Sequence, residues 1–135
     1  MKMIQFREHL SEGYIEIWEP MSRYGEWISI DQNGIVYGNN EPCKTNDQED
    51  IEFNKEVKAC REWLQSNALK TKRMNGNHSS YGLKHVVEAE RGYICNGAFI
   101  HAAMDEGYTG YWDGTGPNCY FNMAFGVVYH GVILK

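Results

Sequence analysis

The sequence predicts an α+β domain: an antiparallel sheet drawn from both chain ends, with a three-helix insertion whose last two helices form an αα-hairpin. Three observations predict it. Short segments rich in β-branched and aromatic residues, bounded by Gly, Pro and Asn, occupy the beginning and the end of the chain. Between them, one apolar stripe repeats at helical spacing. After that stripe, Ser79, Ser80, Gly92, Asn96 and Gly107 punctuate the chain as the caps and stops of two further helices do. A chain of 135 residues fits one domain spanning 1–135. A chain of that size buries roughly two-thirds of its unfolded surface without a disulfide or metal staple.

The first third reads as β. Tyr14-Ile15-Glu16-Ile17-Trp18 is a short strand ended by Pro20, and Glu26-Trp27-Ile28-Ser29-Ile30 has strand composition. Asn33-Gly34 supplies the positive φ angles of a tight turn, and Ile35-Val36-Tyr37 returns as the hairpin partner. A polar connection over 38–47 follows. Thr45 and Gln48 have the spacing of a capping box, with Asp47 or Asp50 as alternative caps. The helix expected over 48–66 aligns Phe53, Val57, Cys60 and Leu64 on one face. Its acidic start (Glu49, Asp50, Glu52 and Glu56) suits the positive end of the helix dipole.

Lys70–Asn77 reads as a basic, Gly/Asn-rich loop. Ser79 or Ser80 caps a second helix running to Arg91, with Gly92 as its natural stop. There Leu83, Val86 and Val87 share one side, and Tyr81, Lys84, His85 and Glu88 share the other. Asn96 is expected to cap a third helix that buries Phe99, Ala102 and Ala103 and ends at Gly107. The tail returns to β: residues 108–112 and 119–125 flank a Gly-rich turn at 113–117. Cys119, Phe121, Met123 and Phe125 alternate as a half-buried strand requires. Residues 127–134 read as a final strand.

Composition narrows the function classes. The net charge is −5, with a pI near 5.5, so the chain lacks the basic footprint of a free-standing nucleic-acid binder. Nine Tyr, five Phe and four Trp are an unusual aromatic share, and some of the Tyr and Trp are expected at the surface, where they favour contact with partners. The N-terminal segment has no apolar signal core and no run approaches a membrane span, so the expected location is the cytoplasm. Cys43, Cys60, Cys95 and Cys119 lie far apart and are expected as reduced thiols.

Four constellations bear on chemistry. Residues 79–106 have the outline of a helix-turn-helix. Its recognition helix would carry Asn96, His101, Asp105 and Glu106 but no Lys or Arg for phosphate, so an ordinary packed αα-hairpin is the simpler reading. The stripe Tyr81, Lys84, His85 and Glu88, preceded by His78-Ser79-Ser80, offers acid–base groups, yet any amphipathic helix has a polar side. A binding surface is the stronger functional reading there. Cys95 precedes a helix N-terminus, a position that lowers a thiol pKa, and His78, His85 or His101 would be its base; a structural cysteine is the plainer alternative. The five histidines are scattered with no metal-ligand spacing, so neither metal nor cofactor is expected.

The stretches His78-Ser79-Ser80-Tyr81-Gly82-Leu83-Lys84-His85, Tyr93-Ile94-Cys95-Asn96-Gly97-Ala98-Phe99-Ile100, Gly107-Tyr108 and Pro117-Asn118-Cys119-Tyr120-Phe121-Asn122 carry a resemblance. Over residues 77–123 the chain resembles small proteins encoded by bacteriophages, prophages and other mobile elements. That resemblance brings no catalytic residues with it. It implies the company of anti-defence proteins, anti-CRISPR proteins among them, which act by occupying a surface of a host nuclease complex. The expected function is therefore non-enzymatic binding and inhibition of a bacterial host machine. The expected surfaces are Tyr81, Lys84, His85 and Glu88 first, then Glu49, Asp50, Glu52 and Glu56. The partner expected is a host protein or ribonucleoprotein complex, with self-association into a homodimer left open. The alternative is a helix-turn-helix-like DNA-binding regulator using 79–106.

Overall fold

Alternation at the N-terminus places Phe6 fully inside and Ile4 at the core's edge, and this segment, which no sequence expectation covers, is the strand that joins the two ends of the chain. The computed structural model describes residues 4–9, 14–17, 28–37, 40–129 and 132–134. Strand β1 (Ile4–His9) pairs antiparallel with β2 (Tyr14–Ile17) on one side. On its other side it pairs with β6 (Gly110–Trp112), which in turn pairs with β7 (Tyr120–Phe121). The order β2-β1-β6-β7 is the expected sheet from both chain ends, and the fold is α+β. Gly110 faces Phe6 across the β1–β6 pair so closely that a Cβ there would collide with the phenyl ring.

Strands β3 (Ser29–Asp31) and β4 (Gly34–Val36) form the expected hairpin with a shifted turn. Asp31 pairs with Gly34, so Gln32 and Asn33 are the two loop residues and Gly34 opens the return strand. Asp31 Oδ1 accepts from the Asn33 amide at 2.9 Å, which stabilises the turn locally. Trp18, Pro20, Glu26, Trp27, Gly38 and Asn39, which figured in the strand and loop readings, lie outside the described residues.

Helix α1 (Asp47–Asn67) carries the predicted stripe: Val57, Cys60 and Leu64 are buried with Trp63, and Phe53 is half-buried. Its capping box is shifted by one residue from the expected Thr45/Gln48 pair. Asn46 accepts from the Glu49 amide at 2.8 Å, and Glu49 reaches back to the Asn46 amide. Thr45 instead donates its hydroxyl to Asp50 at 2.5 Å. The chain leaves α1 directly into β5 (Ala68–Lys70), so Lys70 belongs to a strand and not to the loop. Strand β5 pairs with β8 (Met123–Phe125).

Helix α2 (Ser80–Arg91) is capped by Ser79 and stopped by Gly92 at φ +83°. Ser80 is fully buried, and it exchanges hydrogen bonds with the Cys119 backbone. Helix α3 (Asn96–Asp105) runs through the centre, packed against α1, α2, β1 and the β3–β4 hairpin. Cys95, not Asn96, is its N-cap residue, with no side-chain cap bond. The buried Asn96 amide instead donates to Asn33 O, Pro117 O and Asn118 Oδ1, tying the helix to the hairpin turn and to the Gly-rich loop. The tail beyond β8 is two strands, β9 (Val127–Tyr129) and β10 (Val132–Leu134), paired antiparallel. It is not one continuous strand, and His130 and Gly131 lie outside the described residues.

Candidate functional site

Four short segments surround one cleft of about 370 Å³. Its walls are the first half of α1, the β3–β4 turn, the 42–45 segment and the connection between α2 and α3. The 42–45 segment is held against the hairpin because the Cys43 amide donates to Asp31 Oδ2 at 3.0 Å. All four acidic residues expected at the start of α1 line this cleft: Glu49, Asp50, Glu52 and Glu56. Asp31 adds a fifth carboxylate, and among the described residues no Lys, Arg or His lines it. Helical spacing alone brings Glu49, Glu52 and Glu56 to one face (i, i+3, i+7), beside the apolar Phe53.

The other expected surface, on α2, is divided by burial. Tyr81 and His85 are exposed, their rings edge-on with centroids 4.6 Å apart. Lys84, expected on the solvated side, is only 7% exposed. Its ammonium lies 5.1 Å from the centroids of both Tyr81 and Tyr93 and donates to Glu88 Oε1 at 2.9 Å. Val86, expected inside, is exposed at 47%. Glu88 is the hub of this cluster. One oxygen takes Lys84 and the Ile94 amide at 3.3 Å, and the other faces His85 Nδ1 at 2.9 Å. The hydrogen bond from Lys84 holds the Glu88 carboxyl below its ordinary value, against the opposing effect of burial. Burial is the largest single effect on Lys84 and disfavours its ammonium, but the hydrogen bond and charge of Glu88, with smaller contributions from Tyr93 and Tyr81, together outweigh it and raise its pKa.

The two surfaces meet at Tyr93. Its ring lies over Lys84 on one flank, and Tyr93 also lines the acidic cleft. Two carboxylates clamp the backbone immediately after it. Glu88 of α2 accepts from the Ile94 amide, and Glu56 of α1 accepts from the Cys95 amide at 2.7 Å. The ring is nevertheless 71% exposed, the most open of the large apolar side chains described. Sequence reasoning missed Tyr93 because it sits in a non-helical connection, where no periodicity points outward. Only its position beside Gly92, between two helices, signals it.

Burial governs the thiols of the core. Burial pushes the Cys95 thiol up to about 12, and the neighbouring side chains that act on it include Glu56 and no described histidine. Cys60 is likewise pushed up to about 12 by burial, and burial also raises the fully buried Cys119. Thiols held protonated in this way are poor nucleophiles. His78 packs edge-on to Phe125, and His101 lies beside Phe53 with Nδ1 at 3.1 Å from Asp105. Among the described residues no group of three metal-type side chains converges. A recognition helix must offer its side chains to a groove, whereas α3 buries every residue from Asn96 to Met104 except the half-buried His101. The αα-hairpin of 79–106 thus turns little of its second helix outward. No helix among the described residues is long and apolar enough to cross a membrane. Compared with protein-family models, curated proteins and solved structures, the chain matches none.

Proposed function

We propose that this chain is a non-enzymatic protein of a bacteriophage or other mobile element that binds and inhibits a bacterial host machine, a Cas effector complex being the specific candidate. The observation that carries the contact-binding part is the junction at Tyr93. A fixed backbone presents a 71% exposed aromatic ring where an acidic cleft adjoins the Tyr81/His85 face of α2. Exposed tyrosines on a rigid frame supply contact area at low conformational cost, which is what binding anchors require. The resemblance of residues 77–123 to mobile-element proteins supplies the biological class. Inhibition then follows from occupancy: a face of the host machine covered by this surface is closed to its own substrate.

The test is a tagged pull-down from nuclease-treated lysate of the bacterial host, read by mass spectrometry, beside a Tyr93→Ala, Glu52→Lys variant. A single stoichiometric protein partner, lost in the variant, is the expected result. No protein partner, with nucleic acid retained only when nuclease is omitted, would overturn the proposal in favour of DNA binding.

A further inference from the structure

We infer that the acidic cleft receives an arginine side chain from a basic, extended segment of the partner protein, an assignment that rests on the contact-binding function proposed for this surface. The cleft joins two unlike features. Ile30, Pro42, Phe53 and the Tyr93 ring give it apolar walls; five carboxylates and no Lys, Arg or His of the described residues line it, and the exposed Lys55, outside the lining, lies 3.4 Å from Glu52. At about 370 Å³ it lies at the small end of binding pockets, a size suited to one long side chain rather than a folded element.

Its charge decides the sign of the occupant. Phosphate, nucleotide and acidic peptide all meet a one-signed field focused in a concavity, which repels them. A bare divalent ion is disfavoured, since among the described residues no three metal-type side chains converge. What remains is an organic cation with an apolar stem, the combination that long basic side chains present when the stem lies on apolar surface and the head reaches charge.

Arginine suits the site better than lysine for two reasons. Its guanidinium is less strongly hydrated and bonds carboxylates as a planar fork, whereas an ammonium is a compact hydrated charge. It also stacks on aromatic rings, and Tyr93 stands exposed on the cleft wall. The nearby Lys84 charge does not oppose this, since Glu88 neutralises it at 2.9 Å.

The experiment titrates the full nitrogen-labelled chain with Nα-acetyl-arginine-N-methylamide and follows backbone amide shifts by NMR. Parallel titrations use the lysine and citrulline analogues and spermidine. The arginine probe is expected to give saturable shifts at Glu49, Phe53, Tyr93 and Cys95, with lysine at least about fivefold weaker and citrulline without effect. A Glu49→Gln, Glu52→Gln variant keeps the capping box, since glutamine serves there too, and is expected to weaken the arginine probe several-fold. Equal binding of citrulline would reduce the site to an apolar groove. Equal binding of lysine or spermidine would make it a general cation trap, and absence of cleft shifts would remove it; each result overturns the assignment. If the pull-down partner survives the Glu49→Gln, Glu52→Gln substitutions, the arginine assignment fails while contact binding stands. Arginine binding without any captured partner breaks the inhibitor reading instead.

Discussion

Helices α2 and α3 are neighbours in sequence and in space, yet they solve opposite problems. Helix α2 buries Leu83 and Val87 and turns Tyr81, His85 and Val86 outward. Helix α3 buries almost everything, from Asn96 through Met104. The difference lies in what surrounds each. Helix α3 has α1, α2, β1 and the β3–β4 hairpin around it, whereas α2 packs chiefly on α3 and, less, on α1. The pair shows that an αα-hairpin in sequence says nothing about which helix is available to a partner. Here the available one is the first, which is the reverse of what a helix-turn-helix requires.

The sharpest way to break that comparison is to truncate one apolar side chain in each helix. Phe99→Ala removes a fully buried ring from α3 and should cost about 3–5 kcal/mol in urea unfolding, a large part of a small domain's stability. Val86→Ala on α2 should change stability by no more than about 0.5 kcal/mol. Similar losses from both would mean that α2 is as enclosed as α3. Gly97→Ala probes the same enclosure from the backbone side. A Cβ at Gly97 would collide with the Asp31 carbonyl, and its amide already donates to Gln32 O at 3.2 Å.

A smaller effect is expected at the polar cluster of α2, where burial and exposure meet in one helix turn. Lys84→Ala leaves Glu88 without its ammonium partner and should cost about 1–3 kcal/mol, whereas Tyr81→Ala, at an exposed ring, should cost less. The pH dependence gives an independent reading. The folded Glu88 carboxyl is held below its ordinary 4.5, chiefly by the bond from Lys84. Its contribution is therefore fully present above the unfolded value and is lost as pH falls through the lower folded value. Melting temperature should decline on acidification below about pH 5, and Glu88→Gln should flatten that decline. An unchanged acid limb in Glu88→Gln would mean that the Lys84–Glu88 pair contributes nothing to folding.

Legibility in the sequence follows the same division. The stripe Phe53, Val57, Cys60 and Leu64 was readable because α1 has a core on one side and solvent on the other, the condition under which periodicity carries information. Helix α3 offers no such contrast. Gly97, Ala98, Phe99, Ile100, Ala102 and Ala103 surround the helix axis, so its burial on all sides looks in sequence like an ordinary apolar helix. On α2 the exchange of Lys84 and Val86 has a tertiary cause: the rings of Tyr81 and Tyr93 cover Lys84, and Tyr93 comes from outside the helix. Asn96 has cap chemistry but is used for tertiary bonds to Asn33, Pro117 and Asn118, which no local rule foresees. Of the candidate surface, the acidic start of α1 was legible as a patch. Its closure into a cleft depends on Asp31 and Tyr93, which are distant in sequence.

A small change in stability is also expected at Tyr93, and it is the one that separates a binding anchor from a structural ring. At 71% exposure, Tyr93→Ala removes little buried area. The Ile94 and Cys95 amides remain clamped by Glu88 and Glu56, so the connection keeps its course. What the substitution takes away is the ring over Lys84, a cation–π pair worth about 0.5–1 kcal/mol at an exposed site. Unfolding free energy should therefore fall by no more than about 1 kcal/mol, whereas truncation of an aromatic anchor at the centre of an interface costs about 2 kcal/mol or more of binding. Tyr93→Phe, which keeps the ring and removes only the hydroxyl, should retain most of that binding. Urea unfolding and partner capture measured on the same two variants decide the matter. A large stability loss in Tyr93→Ala would make the ring a lid on Lys84 that belongs to the fold, and the contrast between an open α2 side and a closed α3 would then stop short of this residue.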